Sequence, residues 1–411
     1  MKSNTLLILT VLFFLVFCSC SKNAAEGKGG VKGEAGKIKT ATIDGIPHVY
    51  NPGKPLKGEL TLELEQLLEI DSLKIDRAQP PSFSEFNRSG DRIYLFDMPQ
   101  FKIFIFDDKG KPLDMFPIKG QGPGEIERVT QNILVPRNND LWVSSDSKVM
   151  RYNRDGKFLD EIKFQKQYRE VSIIDENCFI GQYFVLNQKE TDEMKKRKLF
   201  CAMFDRDEKV LVNYLEGEGL GGLPVIGRGP GGQLVKVVFV MPSIVPDIVY
   251  GVDQASRLIY LCKNMDYVVF LKNLKGEMLR VIHREHQNKL LGKEDRKEVV
   301  DLQLFGQPPE FKNMLAENLP AHFCAILGLN PLPRGYLAVY LTAGPQKYDI
   351  DIFDPDGRYI YRLKFPAGIE SPPLRFYPGG IIGIVQTIED RDIYREYRVK
   401  NLTEIFGNTT G

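Results

Sequence analysis

Histidine, tryptophan and cysteine are scarce in this chain of 411 residues, which carries four, one and six of them. The histidines are His48, His283, His286 and His322. No HExxH accompanies them, so a zinc-protease helix is excluded. Of the cysteines, Cys18 and Cys20 fall in the N-terminal leader. The others, Cys178, Cys201, Cys262 and Cys324, are never closer than 23 residues, which excludes a CxxC or zinc spelling and a disulfide scaffold. Cys178 and Cys201 could pair if they lie on adjacent strands, but buried free thiols are the preferred reading. An excess of charge is missing too. With 55 Lys+Arg against 54 Asp+Glu and no long basic run, nothing marks a nucleic-acid or polybasic membrane surface. There is no run of 18 apolar residues to span a bilayer and no GxxxxGK[ST] loop to cradle a nucleotide. Gly227, Gly229 and Gly232 satisfy GxGxxG, but Pro230 stiffens that loop and a strand-like run, Gln233 to Val240, follows where a dinucleotide fold needs a helix.

What is present begins with an address. Lys2 precedes the apolar run Thr5 to Phe17, too short to cross a membrane but suited to the core of a secretory signal. It ends in Phe17-Cys18-Ser19-Cys20, which resembles the lipobox of bacterial lipoprotein signals, where a small residue precedes the cysteine that becomes diacylated. Cys20 is the expected lipidation site. Cys18 fits less well because bulky Phe17 precedes it, and a plain secretory cut is the alternative, since Phe17 stands where such signals usually carry Leu. Residues 21 to 37 (SKNAAEGKGGVKGEAGK) read as a flexible tether. Removing residues 1–19 removes only Lys2 among the charges, so any anchor is lipid rather than charge. The expected domains are a signal peptide 1–19, a tether 20–37, a folded body 38–405 and a tail 406–411.

The body contains a repeat. An aromatic followed by Asp or Asn and, three residues later, Gly occurs at Phe106-Asp107-x-x-Gly110, Tyr152-Asn153-x-x-Gly156 and Phe353-Asp354-x-x-Gly357. A looser copy is Asn273-x-x-Gly276, and in a degenerate one Glu208 follows Asp205 in place of Gly. The physics is local: the carboxylate or amide caps a turn, Gly takes a positive φ and the aromatic ends a half-buried strand. These positions therefore read as turns rather than calcium ligands. Short strand-like runs flank each turn, such as Leu141 to Val143, Val149 to Tyr152 and Phe158 to Phe164, and five units can be aligned this way. A sixth shows Ile381 to Val385 and Tyr394 to Val399. The fold expected is all-β, a six-bladed β-propeller of four-stranded antiparallel blades. Its last blade lacks a fourth strand, which the alternating stretch Glu59 to Glu65 is expected to supply, closing the ring. The surplus length falls in loops: charged Asn187 to Lys198, Gly-rich Gly217 to Gly232, and Glu285 to Leu304 with helix-like spacing.

The leader, the six units and the linker spelling GQGPGE at Gly120 to Glu125 together resemble six-bladed β-propeller lipoproteins of Bacteroidetes-type bacteria, whose blades are similar to NHL repeats. The likeness covers residues 40 to 400. The linker returns in part at Gly227 to Gly232, and Leu319-Pro320 before Phe323 looks like the family's entry to its fifth blade. The resemblance implies a cell-envelope binding or scaffold protein, lipid-anchored on the periplasmic or surface face of the outer membrane. It would bind a small ligand or an envelope protein, with no cofactor and no nucleic acid. Gln121, Glu125 and Arg228, in linkers that border the channel, are the candidate ligand-binding residues. The alternative is a metal-dependent hydrolase or lyase, lactonase-like, on the same frame, which needs several oxygen or imidazole ligands converging on the axis. His283-x-x-His286 could share a helix face, but charged neighbours point to a solvated pair.

Overall fold

The computed structural model describes residues 37–126, 133–134, 140–145, 147–166, 168–185, 197–219, 223–228, 234–239, 244, 246–304, 309–345, 347–367, 369, 374–389 and 391–406. The expected signal peptide, Cys20 and nearly all of the tether lie outside the described residues. Among the described residues six blades of antiparallel strands follow one another along the chain, with a separate two-stranded hairpin between the third and the fourth. Blade 1 is Phe83–Ser89, Arg92–Asp97, Lys102–Asp107 and Pro112–Pro117, from inner to outer strand. Blade 2 is Ile133–Leu134, Leu141–Ser144, Lys148–Tyr152 and Phe158–Lys163, and blade 3 is Tyr168–Ile173, Cys178–Val185, Arg197–Asp205 and Val210–Gly219. Blade 4 is Ile248–Asp253, Leu258–Lys263, Val268–Asn273 and Met278–Arg284, and blade 5 is Ile326–Pro331, Leu337–Gly344, Lys347–Phe353 and Tyr359–Lys364. Blade 6 has Leu374–Tyr377, Ile381–Ile388 and Arg391–Val399, and borrows its outer strand.

The middle strands are apolar at nearly every position because a blade is covered on both faces. In the KIFIFD strand the period of two sends alternate side chains to opposite neighbours. Ile103 and Ile105, with Tyr94 and Phe96, pack on Leu141, Val143, Met150 and Tyr152 of blade 2. Phe104 and Phe106, with Ile93 and Leu95, pack on Ile70, Tyr377 and Tyr394 of blade 6. Four more cores lie between blades 2 and 3, 3 and 4, 4 and 5, and 5 and 6. Six blades joined by six cores form a closed ring.

The repeated turn does two jobs. In each copy the Asp or Asn Oδ1 accepts the backbone N–H groups two and four residues on: Lys109 and Lys111 for Asp107, Asp155 and Lys157 for Asn153, Asp356 and Arg358 for Asp354, all within 3.1 Å. The glycine takes φ between +78° and +87° at Gly110, Gly156, Gly276 and Gly357. It also lets the turn lean on the preceding blade, since a Cβ on Gly110 would stand 2.6 Å from Leu68, and one on Gly357 2.9 Å from Ile282. Glu208 keeps the left-handed backbone at φ 58° without a glycine. Its carboxylate compensates by accepting the N–H groups of Gln165 and Lys166 and the Tyr168 hydroxyl of the blade 2 to blade 3 junction.

The N-terminal segment wraps three blades. A hairpin, Lys39–Ile43 and Ile46–Asn51, lies along the outer edge of blade 4, with Ile46–Asn51 parallel to Met278–Arg284. Glu59–Thr61 then runs parallel to the outer strand of blade 5, and Leu64–Asp71 pairs antiparallel with Arg391–Val399. The strand that completes blade 6 is thus Leu64–Asp71, not Glu59–Glu65, whose first residues belong to blade 5. Two asparagines pin the strap. Buried Asn51 donates to the carbonyls of His283 and Gly357 and accepts from Tyr359 N–H. Asn401 accepts from Glu63 N–H and donates to the Thr61 carbonyl. Phe406, where a free tail was expected, is buried in the blade 5 to blade 6 core.

Other expectations need revision. Gly217–Gly232 is not one loop: Gly217 to Gly219 end the outer strand of blade 3, and Leu223–Arg228 pairs with Leu234–Phe239 as a hairpin. Helix Lys293–Gln303 falls inside Glu285–Leu304, and a second helix, Pro309–Asn318, packs on it and on the hairpin strand Leu223–Arg228. The preferred reading of the cysteines does hold: Cys178 faces Asp205 across the strand pair while Cys201 faces Gln182, so the two thiols sit on different rungs and are free.

Candidate functional site

Four antiparallel strands return the chain to the end where it started, so every connection from an outer strand to the next inner strand leaves the ring at the same end. The hairpin, both helices and the Gly120–Glu125 linker are at that end. So is a cleft of about 290 Å³ between the inner strands of blades 3, 4 and 5. Arg169, Glu170 and Gln182 of blade 3 form one wall, and Asp247 to Tyr250 with Asn264 of blade 4 another; Leu327, Gly328 and Leu329 of blade 5 complete it. The close approach of blades 4 and 5 depends on Gly251, where a Cβ would fall on the Leu329 carbonyl oxygen. Leu327 is the bulged residue of its strand and has no partner in the register.

Asp247 organises the polar wall. Its carboxylate pairs with Arg169 at 2.5 Å, accepts from the Gln182 amide at 2.7 Å and from Ile248 N–H at 2.8 Å. Gln182, only 2% exposed, also donates to the Ile248 carbonyl at 2.6 Å. Asn264 joins Asp247 to the first strand of blade 5: its Oδ1 accepts Asp247 N–H, and its carbonyl accepts the N–H groups of Ala325 and Ile326. Burial raises the Asp247 carboxyl, opposed by Arg169 and those hydrogen bonds.

Glu170 is different. It stands opposite Gln182, which stands opposite Cys201, so all three side chains share the face of blade 3 that looks at blade 4. Among the described residues no hydrogen bond or ion pair reaches its carboxylate. Desolvation by the cleft wall pushes the Glu170 carboxyl up to about 7; the Asp247 charge adds to the rise, Arg169 opposes it, and Glu85 of blade 1 adds to it from across the channel. Glu85 itself is neutralised by Arg375 of blade 6 at 2.8 Å. Burial, then the charge of Glu170, also raise the buried Cys201 thiol and Tyr250 hydroxyl.

Gln121 and Glu125 do not line this cleft. Glu125 spends its carboxylate on its own loop, accepting Gly122 N–H at 2.9 Å and filling the space beside Gly120. Lys148 and Tyr152 of blade 2 bind the carbonyls of Gly122 and Gly124, so the GQGPGE spelling builds a docked linker. Arg228 lies on a hairpin strand at the same end, and its side chain is outside the described residues. The histidine pair shares no helix face: His283 sits on the outer strand of blade 4, half-buried, 3.0 Å from His48 and stacked on Tyr50, and His286 packs against Tyr267. Among the described residues no three His, Cys, Asp or Glu side chains converge to hold a metal ion, and no helix is long and apolar enough to cross a membrane.

Residues 81–217 match a family model described as a 6-bladed beta-propeller (DUF5128). The chain is a six-bladed β-propeller. No curated protein matches its sequence. Among solved structures it is similar to a Bacteroides fragilis protein provisionally named as exported, at 11% identity and a TM-score of 0.49, covering 86% of this chain and 99% of that one. It is also similar to a member of the DUF4221 family from Bacteroides vulgatus, at 12% identity and a TM-score of 0.47, covering 82% and 98%. A protein of unknown function from Bacteroides caccae aligns over 66% of this chain and 77% of its own, at 14% identity and a TM-score of 0.30. The blade count rests on the sheets and cores above, not on these likenesses.

Proposed function

We propose that this propeller is a lipid-anchored cell-envelope binding protein whose ligand site is the cleft between blades 3, 4 and 5 at the linker end of the ring. The observation that carries the reading is a concave site in which one wall is locked by Asp247, Arg169 and Gln182 while an adjacent carboxylate, Glu170, is left open. Binding sites combine a preformed wall with a few polar groups that are not yet satisfied. Half-buried Val249 and Leu327 are the apolar residues that line the cleft beside them.

Native mass spectrometry of the protein taken from its own membranes tests the site. A stoichiometric small molecule is expected, and Leu327→Trp, which fills the cleft, is expected to abolish it. A stoichiometric protein partner that survives Leu327→Trp, with no small molecule, would favour a scaffold role and defeat the cleft reading. The anchor rests on the lipobox-like Phe17-Cys18-Ser19-Cys20 and the tether behind it. Cys20→Ala is expected to move the protein from the membrane fraction to the soluble one with its melting unchanged. Lipid labelling of that variant would place the modification elsewhere.

A further inference from the structure

We infer that the cleft takes a small organic cation, a primary ammonium on a short aliphatic arm, with Glu170 as its counter-ion. The inference rests on the cleft being the ligand site. Among the described residues the charges acting on Glu170 are Asp247, Arg169 and Glu85, and each of these has a partner: Asp247 with Arg169 at 2.5 Å and Glu85 with Arg375 at 2.8 Å. Glu170 is the one left over, a carboxylate with no hydrogen-bond partner among the described residues. An anion would have to take Arg169 from Asp247 and sit beside Glu170, against like charge. A metal ion would find one open carboxylate where it needs three or more ligands. An ammonium needs one carboxylate and a few neutral acceptors. Beside it half-buried Val249 and Leu327 offer apolar contact to an aliphatic arm, and a cleft of about 290 Å³ suits a ligand of small size.

The raised carboxyl fits this use, because a carboxylate held uncomfortable in the empty cleft gains most from an arriving cation. The groups facing it are Arg169 and Cys201 of blade 3, Asp247 and Tyr250 of blade 4 and Glu85 of blade 1, and of these Glu170 is the one brought to neutrality. Ammonium affinity is therefore expected to rise about 10- to 30-fold between pH 5.5 and pH 8.

Calorimetric titration of the full-length protein in detergent tests this with cadaverine and Nα-acetyl-lysine methylamide against two neutral counterparts, 1-pentanol and Nα-acetyl-norleucine methylamide. At pH 8 at least one ammonium probe is expected to bind ten-fold or more tighter than its counterpart, and Glu170→Gln to erase the preference. Binding by cadaverine alone identifies a free amine as ligand; equal binding of the lysine probe identifies a lysine side chain. Equal affinity for charged and neutral probes, or an ammonium preference that survives Glu170→Gln, overturns the inference. If the neutral probes bind and Leu327→Trp excludes them, the cleft reading stands while the cation falls. If no probe binds, the cation falls and the mass spectrum of the native protein decides the cleft.

Discussion

The junction between blades 4 and 5 and the junction between blades 3 and 4 both place carboxylates and a guanidinium group between sheets, and they differ in whether every charge is answered. Between blades 4 and 5, Asp351 is 0% exposed and receives the hydroxyls of Tyr267 at 2.9 Å and Tyr359 at 2.6 Å, together with Arg362 at 3.0 Å. Arg284 adds its charge at 3.3 Å, lies between the Tyr267 and Tyr359 rings, and donates to the Gly53 carbonyl of the strap. Between blades 3 and 4, Asp247 is answered in the same manner, but Glu170, one wall of the cleft away, is not. The lesson is that a saturated charged network closes a junction and clamps the strap, whereas an unsaturated one beside open space is a place for something else to bind.

The sharpest way to break the comparison is to remove the saturated charge. Asp351→Ala leaves Arg284 buried between two rings without its partner, and is expected to cost about 3–5 kcal/mol in urea unfolding. A loss below about 1 kcal/mol would mean the junction does not depend on the network. At the open junction the sign is reversed. A carboxyl raised to about 7 binds more protons folded than unfolded, so its contribution declines as pH rises from the ordinary carboxylate range near 4.5 through 7. Glu170→Gln is therefore expected to stabilise the protein at pH 8 by about 1–2 kcal/mol, water in the cleft moderating the full desolvation cost, and to change nothing at pH 4.5. Destabilisation at pH 8 would show that Glu170 has a structural partner. The smallest effect concerns the strap. Desolvation, then His48, depress the His283 imidazole. Its contribution is thus complete above the ordinary imidazole value and lost as pH falls through it. The protection factors of the Ile46–Asn51 amides, taken relative to intrinsic exchange at each pH, are expected to fall a few-fold between pH 7.5 and 5.5, and His48→Gln to remove that change. Equal protection at both pH values would dissociate the pair from the strap.

Much of the ring was legible because its signal is local. An Asp or Asn that caps two N–H groups and a Gly at positive φ are written within five residues, so five turns could be read directly. The glycine's second job, clearance from the preceding blade, was invisible because Leu68 and Ile282 come from distant parts of the chain. The strap was half-read: alternation around Glu59–Glu65 announced a strand, but its partner is chosen by Asn51 and Asn401, which act across more than 300 residues. Position 208 departs from the repeat in sequence, and only the fold shows that its carboxylate replaces the missing glycine with bonds to the neighbouring junction. The site was the least legible part. In sequence the third unit starts to show at Cys178 to Phe184, which leaves Arg169 and Glu170 outside the repeat, while the Gly-rich linker points to Glu125. A charged residue early in an inner strand, as at Glu85, Glu170 and Asp247, is the signal that was available, but which of the three lacks a partner depends on blades that meet only in the folded ring.

The most direct test is the titration of Glu170 itself, followed by carbon-detected NMR of the side-chain carboxyl with Glu170→Gln assigning the signal. The account predicts a midpoint near 7 in the empty protein that moves down when an ammonium ligand binds. A midpoint near 4.5, unmoved by ligand, would contradict it.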